Sequence, residues 1–440
     1  MRIFDTLSGE KKELRQPRRL GIFPRPLNIF VCGPTVYDHP HIGNARTFVF
    51  FDMFVRYLRS QGFSVFYLQN ITNVEDKIIQ RAINEHTTWE VIAKRYEDSF
   101  MEYNRRLGIT SVNAFPRSTE FIPQVIAQVE TLINKGHAYK IEVDGWYFDL
   151  KTFPGYGKLS RRTMEQAETS AEQGTSRVDN SDNKRNAGDF CLWKFTKDSH
   201  EPSWPSSLGT GRPGWHIEDT ATTEHFFGPQ YDIHGGALDL KFPHHEAEIT
   251  QQEAASGKSP FVNFWMHAGF LTVDGKKMSK SLGNFMTIDD VLKKMSPDEF
   301  RMLLVMHHYR QPVDLNEQVI KMAKDSLRYF MVRAQGINDS KADPAVEKEF
   351  RDAMADDFNT PQAIAALRQS DDASFIKKQL ANLGISIEVS IPIKVQNLLK
   401  ERELSRASKQ FTQSDALRKE IEQLGYVIED TPTGQLVLPK

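Results

Sequence analysis

The apolar positions in the first third of the chain follow the order strand, helix, strand. Short apolar runs at 27–32 and 64–69 predict two parallel β-strands. A helix from about Ile42 is expected between them. It is predicted by apolar residues that recur at helical spacing: Phe48, Phe51, Phe54, Val55 and Leu58. Two further helices are expected at 89–106 and 121–135, an order typical of α/β proteins with a parallel sheet.

The pattern changes after residue 135. Aromatic alternation at 139–148 predicts short antiparallel strands. Residues 160–188 are polar and rich in Ser, Asn, Asp and Glu, so we expect a solvent-exposed insertion loop there. The α/β pattern returns at 226–285. The predicted fold class is therefore α/β, with a parallel sheet that is split by an insertion and followed by helical C-terminal domains.

Beyond residue 285 the apolar spacing is almost entirely helical. Helices are predicted at 288–294, 297–306, 315–334, 345–356 and 361–367. Two amphipathic helices, at 395–404 and 414–424, precede a hairpin that pairs 426–430 with 434–437. Some basic residues of these last helices are candidates for nucleic-acid contact, namely Arg402, Arg406, Lys409, Arg418 and Lys419. Acidic neighbours nearly cancel them, so solvated helix faces explain them equally well.

The composition fits an intracellular enzyme. The 440 residues are too many for one ordinary core, so about two to four domains are expected. Cys32 and Cys191 are the only cysteines, and neither an apolar signal segment nor a run of transmembrane length is present. We therefore expect a cytoplasmic protein without a membrane partner. The net charge of −2 gives no global signal for nucleic acid, so such contact would depend on local basic patches.

Two motifs together predict an ATP site and make the parallel sheet a nucleotide-binding one. The first, at 41–44, follows a strand and the turn that contains Gly33 and Thr35, and it opens a helix whose free N–H groups suit a triphosphate. Gly43 lets adenosine approach the backbone, while His41 and Asn44 can donate to phosphate oxygens.

The second motif, at 277–281, lies in a loop bounded by glycines. Lys277 and Lys280 stand there among small polar residues, so the loop can bring ammonium groups to a polyphosphate. We interpret it as a mobile clamp.

Four other residues have the character of metal ligands. His244 and Glu248 are four positions apart in a predicted helix, which places both on one helix face. Cys32 ends the strand that leads into the ATP turn, and Asp219 is the fourth candidate. One thiolate, one imidazole and two carboxylates suit zinc better than magnesium or calcium. Taken singly, each of these residues is also compatible with a packing or solvated role.

The two motifs resemble the HIGH and KMSKS signatures of the class I aminoacyl-tRNA synthetases. Asn44 stands where the first signature has its second histidine, and it carries no charge. The wider sequence is similar to the cysteinyl-tRNA synthetase family from the first residues to the last. The similarity is carried by the stretches 32–38, 70–77, 211–218, 232–236 and 242–248.

The resemblance implies one zinc ion that binds the thiol of a cysteine substrate, with ATP and Mg²⁺ entering as substrate. Cys32, His244 and Glu248 match family ligands, whereas Asp219 stands where the family usually has a cysteine. Aspartate keeps the charge of a thiolate and bonds zinc at about 2.0–2.2 Å, so we predict that Asp219 ligates. The residues that match the family's amino-acid pocket are Tyr37, Thr72, Trp215, His234 and Asp239, the last as partner of the substrate ammonium.

The resemblance also implies a domain organisation and a function. The expected domains are the catalytic halves 1–135 and 226–285, an insertion domain (136–225), a helical stem-contact region (286–340), a short DALR-like module (341–391) and an anticodon-binding piece (392–440). The expected function is a cysteine–tRNA ligase that acts, as a monomer, on L-cysteine, ATP and cysteine tRNA. His41 and Asn44 would hold the triphosphate, and the motif lysines would stabilise charge on the leaving pyrophosphate.

Two other interpretations remain open at this point. One is a tRNA-independent ligase that joins activated cysteine to a sugar amine; related enzymes of this kind lack the anticodon-binding end that 392–440 is expected to form. The other is a binding paralogue without catalytic activity, which the intact lysine motif argues against.

Overall fold

The computed structural model describes residues 1–17, 19–20, 23–162, 166, 183–198, 200–278, 285–336, 343–388, 391–431 and 434–439. The chain forms two compact units. The first comprises Met1–Leu292 and Tyr309–Val313, and the second comprises Lys293–His308 and Asp314–Lys440. Among the described helices, none combines the length and the apolar composition that a bilayer crossing needs.

The strands are β1 (Arg2–Asp5), β2 (Glu10–Glu13), β3 (Arg19–Leu20), β4 (Phe23–Pro24), β5 (Leu27–Val31), β6 (Val65–Gln69), β7 (Ala138–Ile141), β8 (Gly145–Phe148), β9 (Phe190–Phe195), β10 (Gly211–Pro213), β11 (Tyr231–Ala237), β12 (Val262–Ala268), β13 (Leu271–Val273), β14 (Lys276–Lys277), β15 (Val313–Leu315), β16 (Tyr426–Thr431) and β17 (Gly434–Pro439).

The α-helices are α1 (Ile42–Ser60), α2 (Asp76–Asn84), α3 (Trp89–Arg106), α4 (Ile122–Asn134), α5 (Ile217–Phe227), α6 (His244–Ser256), α7 (Ile288–Leu292), α8 (Pro297–Val305), α9 (Glu317–Gly336), α10 (Pro344–Ala355), α11 (Thr360–Gln369), α12 (Ala373–Asn382), α13 (Ile393–Ala407) and α14 (Phe411–Gln423). Short 3₁₀ helices lie at Ser118–Phe121, Leu150–Thr152 and Leu238–Lys241.

The first unit is built on a four-stranded parallel sheet with the order β12-β11-β5-β6. The predicted strands at 27–32 and 64–69 are confirmed as β5 and β6. Because β11 pairs with β5, the second α/β segment joins the same sheet as the first, which confirms the predicted fold class. The chain order reverses between β5 and β11, and open α/β sheets bind ligands beside such a switch point, at the carboxyl ends of the strands.

The helix α1 packs closely against the sheet. Gly235 in β11 makes the approach possible, because a Cβ atom at this position would lie 2.2 Å from the ring of Phe51. Neighbouring strand residues point to opposite faces, so His234 points away from α1, where it stacks on Trp265 with ring centroids 4.2 Å apart. The sequence His-Gly-Gly in β11 therefore places a helix on one face of the sheet and an imidazole on the other.

The insertion forms a second, antiparallel sheet with the order β10-β9-β8-β7. The strands predicted at 139–148 are confirmed as β7 and β8. The strands β9 and β10 were missing from the prediction. Most of the predicted polar loop at 160–188 lies outside the described residues.

The second unit is mainly helical, as predicted. The predicted helices at 297–306, 345–356 and 361–367 are confirmed as α8, α10 and α11. The helix predicted at 315–334 begins only at Glu317, because the residues before it form β15. The helix α12 lies in a stretch for which no element was predicted. The two terminal helices and their hairpin are confirmed as α13, α14 and the pair β16–β17.

The terminal helices show that Arg402 is not available to a nucleic acid. Its side chain is only 1% exposed, and its two terminal nitrogens pair with the carboxylate of Asp430 at 2.9 and 3.0 Å. Arg406 pairs with the same carboxylate at 2.5 Å, and Arg418 donates to the carbonyl oxygen of Ile428 at 2.7 Å. The prediction of a nucleic-acid contact is therefore wrong for Arg402, which joins α13 to the hairpin. Lys409 and Lys419 are exposed.

Candidate functional site

A cavity of about 320 Å³ lies in the first unit, beside the carboxyl ends of β5 and β11. Most predicted site residues line it: Cys32, Gly33, Thr35, Tyr37, His41, Gly43, Asn44, Thr72, Trp215, Asp219, Asp239 and His244. Glu248 and His234 do not line it, since both side chains are fully buried. The side chain of Lys277 and all of Lys280 lie outside the described residues.

One wall of the cavity is the N-terminus of α1. His41 caps the helix, because its Nδ1 accepts from the backbone N–H groups of Gly43 at 3.1 Å and Asn44 at 3.4 Å. In return, Asn44 Oδ1 accepts from the N–H of His41 at 3.3 Å. With Nδ1 acting as an acceptor, the neutral imidazole carries its proton on Nε2. The cap therefore leaves a ring nitrogen of His41 in the donor form at a helix end that favours anions.

The flanks of the lysine motif reach the same helix end. Met278 and Phe285, on either side of 279–284, both line the cavity. The Phe285 ring meets the His41 ring edge-to-face at 5.5 Å, and Ile42 donates to the carbonyl oxygen of Met286 at 3.3 Å. The two motifs, more than 230 positions apart in the sequence, thus converge on one cavity wall.

The four predicted metal ligands form one cluster, three of whose members, Cys32, Asp219 and His244, line the same cavity. Cys32 Sγ lies 3.3 Å from Asp219 Oδ2 and 3.8 Å from Glu248 Oε1. His244 Nε2 lies 3.0 Å from Asp219 Oδ2 and 3.1 Å from Glu248 Oε1. Ligand atoms held by bonds of about 2.0–2.3 Å at tetrahedral angles lie about 3.3–3.8 Å apart. The four ligand atoms all lie within 4.8 Å of one another, so the group could hold one metal ion.

The electrostatics of this cluster favour a bound cation. Burial, and next the charges of Glu248 and Asp219, raise the pKa of the Cys32 thiol well above its ordinary value. Burial and the charge of Asp219 likewise raise the pKa of Glu248. Among the residues that the structure describes, Glu248 Oε2 is buried without a hydrogen-bond partner. A metal ion would supply the missing positive charge and favour the ionised ligands.

Histidines surround the cluster on its buried side. The Nε2 atoms of His245 and His234 lie 3.1 and 3.3 Å from Cys32 Sγ, and the Nδ1 of His234 lies 2.7 Å from the hydroxyl of Tyr231. With Cys32 and Glu248 these two histidines form a second, overlapping group of possible ligands. Burial holds the pKa of both imidazoles well below the ordinary value, so they are neutral.

The remaining predicted pocket residues divide into two sets. Tyr37, Thr72, Trp215 and Asp239 line the cavity, and the Trp215 ring lies 4.3 Å from that of the ligand candidate His244. His234, predicted to line the same pocket, instead lies behind Cys32. Its position follows from the alternation of residues in β11, a signal that the sequence already contained.

Two residues near the metal cluster were missing from the prediction. His245 follows a candidate ligand directly and stands three positions before Glu248, a spacing that also brings helical side chains together. Asn70 lines the cavity and donates to Asp219 Oδ1 at 2.5 Å. No local signal predicts that contact, because the two residues are 149 positions apart.

Comparison with known proteins agrees with this geometry. Residues 22–325 match the tRNA synthetases class I (C) catalytic domain. The fold is similar to that of the Mycobacterium tuberculosis methionyl-tRNA synthetase in complex with methionyl-adenylate, with a TM-score of 0.57 and 14% identity over 86% of this chain and 84% of that one. It is also similar to the LeuRS–tRNA–LeuAMS complex of Agrobacterium radiobacter K84, with a TM-score of 0.57 and 11% identity over 84% and 83%. The chain therefore has the fold of a class I aminoacyl-tRNA synthetase.

The sequence comparison identifies the family within this class. Residues 349–369 match the DALR domain, and residues 388–437 match the cysteinyl-tRNA ligase anticodon binding domain. The chain is 40% identical to the cysteine–tRNA ligase of Laribacter hongkongensis over 99% of its own length and 98% of that protein. It is 38% identical to that of Nitrosomonas europaea, with the same coverage. The chain belongs to the cysteine–tRNA ligase family.

Proposed function

We propose that this protein is a cysteine–tRNA ligase, which forms cysteinyl adenylate from L-cysteine and ATP and then charges cysteine tRNA. The observation that carries the proposal is a single cavity lined both by a helix end that favours anions and by three members of a buried thiol–imidazole–carboxylate cluster. The full-length similarity to cysteine–tRNA ligases supports it. In step one a carboxylate oxygen of cysteine attacks the α-phosphorus and pyrophosphate leaves. In step two a 3′-terminal ribose hydroxyl attacks the carbonyl carbon and AMP leaves.

The protein contributes positioning and charge to these steps. The Nε2–H of His41 binds phosphate oxygens at the positive end of the α1 dipole, and Gly43 and the turn with Gly33 and Thr35 leave room for the nucleotide. Lys277 and Lys280 neutralise charge on the departing pyrophosphate, whose Mg²⁺ enters with ATP.

The amino acid is selected at the metal cluster. Cys32, Asp219, His244 and Glu248 would hold one zinc ion, since a thiol, an imidazole and two carboxylates form a donor set that suits zinc. When bound, zinc supplies a Lewis acid that prefers the substrate thiol to the hydroxyl of serine. Asp239 accepts from the substrate ammonium, while Tyr37, Thr72 and Trp215 enclose the substrate. His234 supports Cys32 from behind.

Pyrophosphate exchange tests this function. The full chain is assayed with cysteine, with serine and without amino acid, each with and without a zinc chelator. We expect exchange with cysteine alone and its loss on chelation. Pyrophosphate exchange that does not depend on which amino acid is added would contradict the proposal. The absence of any exchange would also contradict it and would favour a binding paralogue. Charging of a sugar amine but not of tRNA would favour the tRNA-independent ligase.

The helical C-terminal part of the chain, residues 286–440, provides the tRNA contact in this proposal. We keep the predicted assignments of 286–340 to the stem, 341–391 to the DALR-like module and 392–440 to the anticodon, in a cytoplasmic monomer. The exposed Lys409 and Lys419 remain candidates for a phosphate contact, whereas Arg402 has a structural role.

Removal of residues 391–440 is expected to separate the two steps. Cysteine-dependent exchange should stay within about twofold, while kcat/KM for tRNA charging should fall by roughly 10–100-fold, because about 1.4–2.7 kcal/mol of tRNA binding is lost. The full-length double variant Lys409→Glu/Lys419→Glu tests the same contact without removing any part of the fold. It should also lower kcat/KM for tRNA charging, but by a smaller factor. Undiminished charging by both variants would contradict the anticodon assignment.

A further inference from the structure

Asn70 connects the ATP turn to the metal cluster. It follows β6 directly, its side chain is 3% exposed, and it lies between Gly33 and Asp219. Asn70 Oδ1 accepts from the backbone N–H of Gly33 at 2.6 Å. Asn70 Nδ2 donates to Asp219 Oδ1 at 2.5 Å and is 3.4 Å from Thr72 Oγ1. The close approach requires glycine at position 33, where a Cβ atom would lie 1.7 Å from the carbonyl oxygen of Asn70.

The hydrogen-bond network determines which end of the Asn70 amide faces Asp219. A backbone N–H can only donate, so the amide atom facing Gly33 must be the oxygen. The NH₂ group is then directed at the carboxylate of Asp219, which can only accept while it is ionised. No other orientation satisfies both neighbours.

The contact divides the two oxygens of Asp219 between two tasks. Oδ1 is occupied by Asn70, and only Oδ2 faces the metal cluster, at 3.3 Å from Cys32 Sγ and 3.0 Å from His244 Nε2. A carboxylate can bind a metal through one oxygen or two, whereas a cysteine sulfur offers a single ligand atom. Aspartate at position 219 could therefore bind a metal in two ways, whereas the cysteine that the resemblance suggests could bind in only one. The hydrogen bond from Asn70 favours binding through Oδ2 alone.

We propose that Asn70 is a positioning residue that makes Asp219 a one-oxygen metal ligand, as a replacement for a thiolate requires. The inference rests on the proposed function, because it takes zinc as the metal. Hydrogen-bond partners of metal ligands commonly contribute a factor of about 10–100 to metal affinity. The contribution of Asn70 should depend on aspartate at position 219, since a cysteine there would have no second atom for the amide to hold.

A double-mutant cycle tests this dependence. Zinc dissociation constants are measured by chelator competition for the full chain, Asn70→Ala, Asp219→Cys and the double variant. Asn70→Ala is expected to weaken zinc binding by roughly 10–100-fold in the native background and by no more than about twofold in the Asp219→Cys background. The bond of Asn70 to Gly33 is lost in both backgrounds, so its contribution cancels.

Asn73→Ala is the matched control. Asn73 lies on the same segment and is 9% exposed, and its amide bonds Thr119 through both ends. It makes no hydrogen bond to Asp219 in the part of the chain that the structure describes, and its removal should leave zinc affinity unchanged within about twofold. If Asn70→Ala fails to fold, Asn70→Ser takes its place in the cycle.

The absorption spectrum of cobalt(II) bound in place of zinc distinguishes a positioning role of Asn70 from a merely structural one. In the native chain the four-ligand set predicts the intense d–d absorption of a tetrahedral ion. Asn70→Ala frees Oδ1 to bind as well, so the absorption should weaken, whereas Asn73→Ala should leave it intact. Equal losses of zinc affinity in both backgrounds, or an unchanged cobalt spectrum, would overturn the inference about Asn70 but not the proposed function. A native chain that binds no zinc and shows no cysteine-dependent exchange would overturn the proposed function itself.

Discussion

Asp219→Ala is expected to release the metal and abolish cysteine activation, whereas Asp219→Cys should retain both. Zinc bound by four protein ligands has a binding free energy of about 10–16 kcal/mol, so the loss of one ligand of four should weaken binding by roughly 10²–10³-fold. The alanine variant also leaves a coordination position to water, which would compete with the substrate thiol. Cysteine restores one negative ligand atom at a position that already faces Cys32 and His244.

Metal content by elemental analysis and cysteine-dependent pyrophosphate exchange measure this prediction. Asp38→Asn is the matched control, because Asp38 is a carboxylate of the same cavity but lies outside the metal cluster. It should leave the metal content unchanged. The hypothesis that Asp219 ligates fails if the alanine variant keeps a full complement of zinc. In that event the metal would be held by the second ligand group, in which His234 and His245 take the places of Asp219 and His244.

The elements of the catalytic half were predictable because they follow from local periodicity. The strands β5 and β6 are short apolar runs, and α1 carries apolar residues at helical spacing. His244 and Glu248 were predictable as a pair for a similar reason, since a spacing of four residues places them on one face of α6. Local pattern failed for β10, which is only three residues long and ends in proline.

The features that were missed depend on contacts between distant parts of the chain. The charge pattern along α13 predicts that Arg402 lies at the surface. In the structure its side chain is buried and pairs with the carboxylate of Asp430, 28 positions later. The bond between Asn70 and Asp219 likewise depends on the tertiary fold, because it joins the residue after β6 to a residue of α5 that is 149 positions away in the sequence. The similarity to the family therefore makes Asp219 a candidate ligand, while the contact with Asn70 becomes visible only in the structure.

The lysine motif is where sequence and structure complement each other. The structure describes the flanks, Met278 and Phe285, on the cavity wall beside His41. The sequence supplies Lys280 between them.

Lys280→Ala is expected to lower the rate of adenylate formation by roughly 10²–10³-fold, the effect of removing one preorganised charge donor from a transition state. The dissociation constant of ATP should change little, because the negative charge on the leaving pyrophosphate grows only as the bond to the α-phosphorus breaks. Single-turnover adenylation at several ATP concentrations separates the two quantities. Lys276→Ala is the matched control, since Lys276 is an exposed lysine of β14 in the same segment, and it should leave both unchanged. Equal losses in rate and in ATP affinity for Lys280→Ala would assign the lysine to ground-state binding and remove it from the transition state.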